Sequence, residues 1–192
     1  MIYYDLFKEC DFVEAVEMIK GRRSVRKYKN EVVNRRLMEE VIEITRYAPS
    51  WTNSQTPRFT LVDNSEIIEK FATDAVKGFT YNVDTLKNAK GVAVLSFVYG
   101  KSGRLEKYGI DGGNPEKWEA FDAGIACQTF CLAAYAKGIG TCIFGVVDED
   151  KVAELISLPE TEAVAALIVY GFADEQPKTP RRKEVGDILR FI

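Results

Sequence analysis

Apolar positions along the chain follow two patterns, one with helical spacing and one nearly continuous. Residues 11–20 and 35–48 place apolar side chains on one face at helical spacing, each run between a capping residue and a helix-ending one. These two segments are therefore expected to form amphipathic helices. Residues 120–136 are apolar on nearly all sides, which predicts a helix that is buried or packed against two partners.

Short apolar runs typical of strands occupy residues 58–63, 91–98 and 163–172. The run GVAVLSFV at 91–98 is nearly unbroken and suits a central strand buried on both faces. The remaining predicted elements are a short helix at 65–77, a glycine-rich loop or lid at 100–117, a loop or short strand at 141–147, and a helix from Asp148 through Leu155. This order of helices and strands indicates one α+β or α/β domain over residues 1–192, with about three layers.

Composition narrows the range of possible functions. The chain has 192 residues and a net charge of -3, which argues against a dedicated nucleic-acid binder. It contains no histidine, so Ser-His-Asp and Cys-His nucleophilic sites and the usual histidine-based zinc sites are excluded. Any chemistry is expected to come from other residues or from a bound cofactor.

The location of the protein is expected to be cytoplasmic. No apolar run is long enough to span a membrane, and acidic residues near the start argue against a signal peptide. The four cysteines match neither a zinc pattern nor a CxxC redox motif, and are expected to be buried, reduced thiols. We expect no metal site, no membrane partner and no nucleic-acid partner.

A basic cluster follows the first predicted helix, in the stretch KGRRSVRKY at 20–28. Arg22, Arg23 and Arg26 bracket Ser24, and arginine forks bind phosphate oxygens in a bidentate way. A second cluster, Arg181-Arg182-Lys183, stands near the other end of the chain. A solvated surface is the simpler interpretation of such clusters. Since neither a GxGxxG nor a GxxxxGK[ST] motif is present, a phosphorylated cofactor held by side chains fits better than a nucleotide held by a glycine loop.

Four motifs in order resemble the FMN-dependent nitroreductase family: RRSVRKY, then APSWTNSQTPRF at 48–59, KGIGTCIFG at 137–145 and PRRK at 180–183. The resemblance covers essentially the whole chain. It implies the nitroreductase fold, an α+β arrangement of three layers with a central mixed β-sheet flanked by helices. It also implies an intertwined homodimer with two FMN sites at the subunit interface, in which the apolar helix at 120–136 forms the dimer core and the last residues reach the partner.

The resemblance also assigns residues to the cofactor. Arg22, Arg23 and Ser24 would bind the phosphate and ribityl chain, and Arg26 would lie near the pyrimidine edge, where a cation favours the reduced flavin. Further assignments are a segment that reaches the site of the other subunit (Pro49, Ser50, Trp51, Asn53), the pyrimidine-side Asn82, one flavin face (Ile143, Phe144, Gly145) and the remaining phosphate contacts (Arg181, Arg182, Lys183). Taken singly, several of these could be turn, cap or core residues.

The implied activity is that of an FMN-dependent oxidoreductase. NADH or NADPH would bind transiently and pass hydride to flavin N5, and a nitroaromatic or quinone-type acceptor would then take its place in a ping-pong cycle that needs no protein acid or base. The chain departs from better-studied members at Trp51 (often Ser), Phe144 (Glu in some) and Thr85 (Lys in some). The alternatives are an FMN-binding carrier or sensor with little NAD(P)H turnover, its site closed by Trp51 and Phe144, and a basic module for anionic partners.

Overall fold

The computed structural model describes residues 15–76, 78–105, 109–111 and 114–192. Seven α-helices are described: α1 (Ala15–Gly21), α2 (Arg35–Thr45), α3 (Ser65–Lys70), α4 (Thr80–Asn88), α5 (Pro115–Ala136), α6 (Glu149–Ile156) and α7 (Val185–Ile188). A 3₁₀ turn covers Trp51–Asn53, and a π-helical turn at Phe71–Ala75 continues α3. The described strands are β1 (Pro57–Val62), β2 (Gly91–Val98), β3 (Arg104–Leu105), β4 (Ile110–Asp111), β5 (Ile139–Phe144) and β6 (Glu162–Phe172).

Four of these strands form one sheet in the order β1-β2-β6-β5, and every neighbouring pair in it is antiparallel. The expectation of a mixed sheet is therefore wrong for the described chain. The connection from β5 through α6 to β6 begins and ends at the same end of the sheet, which makes these neighbours antiparallel. A parallel contact occurs at an isolated bridge between Ser24, which lies outside the named strands, and Thr141 of β5.

Alternate side chains of β2 pack into two apolar clusters. Val92 and Val94 belong to a cluster with residues of the π-helical turn, α4 and α6. Ala93 and Leu95 belong to a second cluster, which includes Met38 and Val41 of α2 and Phe130 of α5. Because successive strand residues point to opposite faces, the central strand is buried on both sides, as its unbroken apolar sequence predicts.

The basic stretch after α1 lies directly against the sheet. Val25 N donates to Thr141 O at 2.9 Å, and Lys29 N donates to Phe172 O at 2.8 Å. A β-carbon added at Gly140 would lie 2.9 Å from Val25 Cβ, so only glycine permits this close approach. The buried Tyr28 hydroxyl donates to Val25 O at 2.5 Å. The loop that carries the first basic cluster is thus fixed to β5 and the end of β6.

Boundaries differ from the prediction where the sequence pattern is weak. The segment 141–147 contains the end of strand β5, which begins earlier, at Ile139. Helix α5 begins at Pro115, because its first turn is polar and is capped by the side chain of Asn114. Helix α4 was not predicted, and the expected loop at 100–117 contains the short β3–β4 hairpin. Residues 11–14 of the first predicted helix, and residues 106–108 and 112–113 of the loop, lie outside the described residues.

Three of the cysteines are described. Cys127, Cys131 and Cys142 are buried and free, which confirms the expectation for these three, whereas Cys10 lies outside the described residues. Burial raises the pKa of the Cys142 thiol. Among the described residues, no cluster of histidine, cysteine or acidic side chains could hold a metal ion. None of the described helices combines the length and apolar character needed to cross a membrane.

Candidate functional site

The two basic clusters meet at one cavity of about 260 Å³. We call it the basic cavity, and it is lined by Arg22, Arg23, Ser24 and Arg26 from the loop after α1, and by Pro177, Lys178, Pro180 and Arg182 from the tail. Residues near both ends of the chain therefore converge, as proposed from the sequence. The tail also contributes three residues that no sequence pattern marked: Pro177, Lys178 and Pro180. Their position next to Arg182 in the chain is the signal that could have suggested them.

Hydrogen bonds hold the tail against the first loop. Glu175 Oε1 accepts from Arg26 N at 2.6 Å and from Lys27 N at 3.2 Å. The backbone of Asp174 donates to Lys27 O at 2.9 Å. The guanidinium of Arg23 donates to the Thr179 hydroxyl and, at 2.8 Å, to Arg22 O. The backbone of both walls of the basic cavity is thus fixed by contacts that leave its other cations available.

The charge at the basic cavity is strongly positive. Its lining has five cationic side chains, and no carboxylate occurs among the described residues that line it. Arg22 Nε is buried and has no hydrogen-bond partner in the described part of the chain. A buried donor without an acceptor is costly, and like charges in one cavity repel. The arrangement therefore suits an anion that carries several acceptor oxygens.

The second basic cluster contributes unequally. Arg182 lines the basic cavity, whereas Arg181 and Lys183, both within the described part of the chain, do not line it. All three side chains are exposed. The geometry thus selects Arg182 from the three residues assigned on the resemblance.

An adjoining cavity of about 310 Å³ shares Arg22, Arg23 and Pro177 with the basic cavity. Its other lining residues come from the end of α1 and the loop after it, from the end of α5 and the turn that follows, from β5 and from the tail: Gly21, Val25, Tyr135, Gly138, Ile139, Gly140, Thr141, Ala173, Glu175, Gln176 and Thr179. The two cavities therefore adjoin at Arg22, Arg23 and Pro177, and the five cationic side chains described above line one of them.

The end of strand β5 presents two of its three assigned residues to the surface. Ile143 is 45% exposed and Gly145 is exposed, but Phe144 is only 2% exposed and packs in the core cluster with Val147 and Leu167. Alternation along the strand turns the Phe144 ring inward. The Phe144 ring therefore cannot close an exposed site. Of the two residues expected to bar nicotinamide from the site, Trp51 and Phe144, this leaves Trp51.

The segment from Pro49 to Gln55 has an unusual backbone. Thr52, Asn53 and Gln55 have φ angles of 45°, 58° and 50°, in the left-handed region that side-chain-bearing residues rarely adopt. Each such residue costs on the order of 1–3 kcal/mol, so the conformation persists only where the surroundings impose it. Trp51 N donates to Asp122 Oδ1 at 2.9 Å, which ties the segment to α5. Asp122 was not singled out from the sequence, because an acidic residue within a long apolar helix gives no signal of its partners.

Not every assigned residue lies at the basic cavity. Asn82 is buried in the first turn of α4, and the Thr85 hydroxyl one turn later donates to Tyr81 O at 2.8 Å. Neither Asn82 nor any residue from Pro49 to Asn53 is among the residues that line the basic cavity in the described chain. Ser50 lines a separate cavity of about 250 Å³ with Thr45, Gln55, Arg58 and Ala126.

Comparison with known proteins identifies the family. The profile of the Nitroreductase family matches residues 19–172. The chain belongs to the nitroreductase family. The match begins just before the first basic cluster and ends at the last residue of β6. The place of Arg182 at the site of this nitroreductase-family chain is thus given by the geometry and not by the family match.

Relatives and solved structures agree with this assignment. A protein of Methanothermobacter thermautotrophicus, provisionally named NADH dehydrogenase/NAD(P)H nitroreductase, is 30% identical over 171 residues, covering 87% of this chain and 81% of that protein. The FMN reductase [NAD(P)H] of Bacillus subtilis is 26% identical over 182 residues, covering 88% and 70%. An FMN-bound structure from Exiguobacterium sibiricum superposes with a TM-score of 0.79 at 19% identity, covering 94% and 98%. At that identity the likeness shows the fold alone.

Proposed function

We propose that this chain is an FMN-dependent oxidoreductase that uses NADH or NADPH to reduce nitroaromatic or quinone-type acceptors. The observation that carries the proposal is the basic cavity, where cations from both ends of the chain meet and no lining carboxylate is described. The proposal is also supported by the family and by the relatives named for FMN and NAD(P)H.

The residues present fit the phosphate end of FMN. A phosphate monoester offers about two negative charges and three acceptor oxygens at neutral pH. Arg22, whose buried Nε has no partner among the described residues, and Arg182 would each donate to those oxygens, and Ser24 would supply a hydroxyl beside them. Arg23 from the loop and Lys178 from the tail add positive charge at the same cavity. The adjoining cavity then offers room along β5 for the sugar-alcohol chain.

When bound, FMN accepts and donates the hydride at N5, which is chemistry that the side chains of this protein cannot supply. The chain's own residues bind and orient. Arg26 is exposed and lines the basic cavity, where its charge would favour negative charge on a nearby ring. Ile143 would shield one ring face from water, since its apolar side chain is exposed at the end of β5. Asn82 stays the proposed hydrogen-bonding partner of the pyrimidine side.

The site is proposed to be completed by a second copy of the chain in an intertwined, three-layered homodimer that acts in the cytoplasm. The described residues that line the basic cavity within one chain do not include Pro49, Ser50, Trp51 or Asn53. A partner would therefore have to bring its own copies of these residues to the site. Helix α5 leaves Phe121 55% exposed, and the tail leaves Phe191 90% exposed. In the proposed homodimer these two side chains would be covered by the partner.

The decisive experiment is an absorption spectrum of the purified protein, followed by anaerobic titration with NADH and with NADPH. A bound flavin that is bleached by either donor and recoloured by a quinone supports the proposal. A flavin that keeps its colour with both donors while dithionite bleaches it would identify a carrier or sensor. A colourless protein that also fails to bind added FMN would leave only the basic module for anionic partners.

A further inference from the structure

Asp122 is a buried carboxylate for which the proposed chemistry has no use. It lies in α5 and is 1% exposed. Its Oδ1 accepts from Trp51 N at 2.9 Å, and its Oδ2 accepts from Ser102 Oγ at 2.6 Å and from Ser54 Oγ at 3.2 Å. One side chain thus joins three parts of the molecule: α5, the segment from Ser50 to Gln55, and the turn that precedes hairpin β3–β4.

The segment from Ser50 to Gln55 needs such a restraint. Its left-handed residues Thr52 and Asn53 lie between Trp51 and Ser54, and both of these flanking residues donate to Asp122. A β-branched residue such as Thr52 is especially unfavourable in this conformation. Strained conformations persist only where surrounding contacts impose them. Asp122 supplies those contacts from both sides of the strained pair, and Ser50 Oγ closes the segment by accepting from Gln55 N at 2.9 Å.

The hydrogen bond from Trp51 N to Asp122 also places an aromatic side chain. The ring of Trp51 lies 4.1 Å from that of Trp118 between centroids, tilted by 52°, and Trp118 in turn contacts the ring of Phe121 at 5.5 Å. All three anchoring groups, Trp118, Phe121 and Asp122, belong to the first turns of α5. The backbone bond to Asp122 and the ring contact to Trp118 therefore fix both the main chain and the side chain of Trp51.

We propose that Asp122 is a positioning residue for the flavin site: it holds the segment from Ser50 to Ser54 in the conformation in which this segment contacts the flavin, and couples it to the hairpin through Ser102. This inference rests on the proposed function. A carboxylate suits the role because it only accepts hydrogen bonds, and all three of its partners donate. Asparagine keeps one acceptor for Trp51 N, while the hydroxyls of Ser54 and Ser102 can turn to accept from its amide.

The test compares FMN-loaded enzymes that carry Asp122→Ala, Asp122→Asn or Glu119→Ala. Glu119 is the matched control, since it is a second buried carboxylate on α5 that accepts from Gly100 N at 2.5 Å. Three quantities are measured: kcat and KM for a quinone acceptor, the visible circular dichroism of the bound flavin, and hydrogen exchange of the amides of residues 51–55.

Asp122→Ala is expected to lower kcat/KM by about ten- to a hundredfold, the usual effect of losing a supporting contact behind a site residue. It should also change the flavin dichroism and speed exchange at the Trp51 amide. Asp122→Asn should restore most of all three quantities. Glu119→Ala should lower the melting temperature and leave dichroism and kcat/KM close to those of the wild type.

The proposal is overturned if folded Asp122→Ala has wild-type kinetics and dichroism, or if Glu119→Ala changes them equally. Should Asp122→Ala not fold, Ser54→Ala decides: a change of the same sign but smaller supports the proposal, and no change refutes it. Failure of the proposed function is seen separately, in wild-type protein that neither holds flavin nor oxidises NAD(P)H. Normal wild-type turnover with an unaffected Asp122→Ala variant removes only the positioning role.

Discussion

The sharpest prediction concerns two adjacent arginines, of which only one lines the basic cavity. Arg182→Ala removes a cation from that cavity, and Arg181→Ala removes an identical charge one residue away that does not line it. A charge-assisted hydrogen bond contributes roughly 1.5–3 kcal/mol, and each 1.4 kcal/mol changes affinity tenfold. Because the Arg182 side chain is exposed, we expect the lower end for Arg182→Ala, about a tenfold loss of FMN affinity.

Arg22→Ala extends the comparison to a less exposed contact. Arg22 Nε is buried and unpartnered in the described chain, so its bond to a phosphate oxygen would form where water competes less. We expect a loss nearer a hundredfold for this variant. Arg181→Ala should bind FMN within about twofold of the wild type, since distant exposed charges are largely screened.

The assay is calorimetric titration of the flavin-free proteins with FMN and, separately, with riboflavin, which lacks the phosphate. Losses confined to FMN place the arginines at the phosphate. Equal losses for riboflavin, or an Arg181→Ala variant as weak as Arg182→Ala, would refute the assignment of the basic cavity to the phosphate. High salt should shrink the difference between wild type and the Arg182→Ala variant, because that site is exposed.

Three further predictions concern stability. Gly140→Ala should cost about 1–3 kcal/mol and lower the melting temperature, because the new methyl would lie 2.9 Å from Val25 Cβ; an unchanged midpoint would show that the loop can move away. Phe130→Ala should cost about 3–5 kcal/mol in denaturant unfolding, since this ring is fully buried against Phe59. The hydrogen bond from Arg35 lowers the pKa of Asp63. The contribution of this ion pair to stability should therefore be present above the usual carboxyl pKa and lost as the pH falls through the lowered pKa. The difference in melting temperature between wild type and Asp63→Asn should vanish in acid, and a constant difference would contradict the ion pair.

Elements with strong, unambiguous patterns were predicted well from the sequence. Strand β2 has the predicted bounds of 91–98, because an unbroken apolar run suits a strand whose two faces are both covered. Helix α4 was missed because its sequence, TYNVDTLKN, is polar on average and has only a weak apolar face. The direction of the strands was also missed, since alternation along a strand carries no information about which neighbour it pairs with or in which sense.

The sequence predicted that arginines near both ends of the chain would converge at the candidate site, but not the orientation of Phe144 or the contacts of Asp122. Basic clusters near both ends of a chain without glycine loops, the first of them around Ser24, indicated a shared anion, and the structure brings Arg22 and Arg182 to one cavity. The inward orientation of Phe144 could not be read from the motif, because a shift of one residue in a strand exchanges its buried and exposed faces. Asp122 was invisible for a similar reason: its partners lie about 70 and 20 residues away and meet it only in the folded chain.

Backbone hydrogen bonds that fix the walls of the basic cavity explain how it could bind an anion tightly without a glycine loop. Five like charges in one cavity repel, so a flexible loop would spread them apart in the absence of an anion. Here Val25 N is bonded to β5, and the carboxylate of Glu175 accepts from the backbone of Arg26 and Lys27, so the main chain on both sides is fixed in advance. Glu175 thus accepts from backbone donors without lining the basic cavity, and an incoming anion would meet cations that need little reorganisation. A dianion would relieve more of this repulsion than a neutral ligand of the same shape, so the basic cavity should favour phosphorylated ligands.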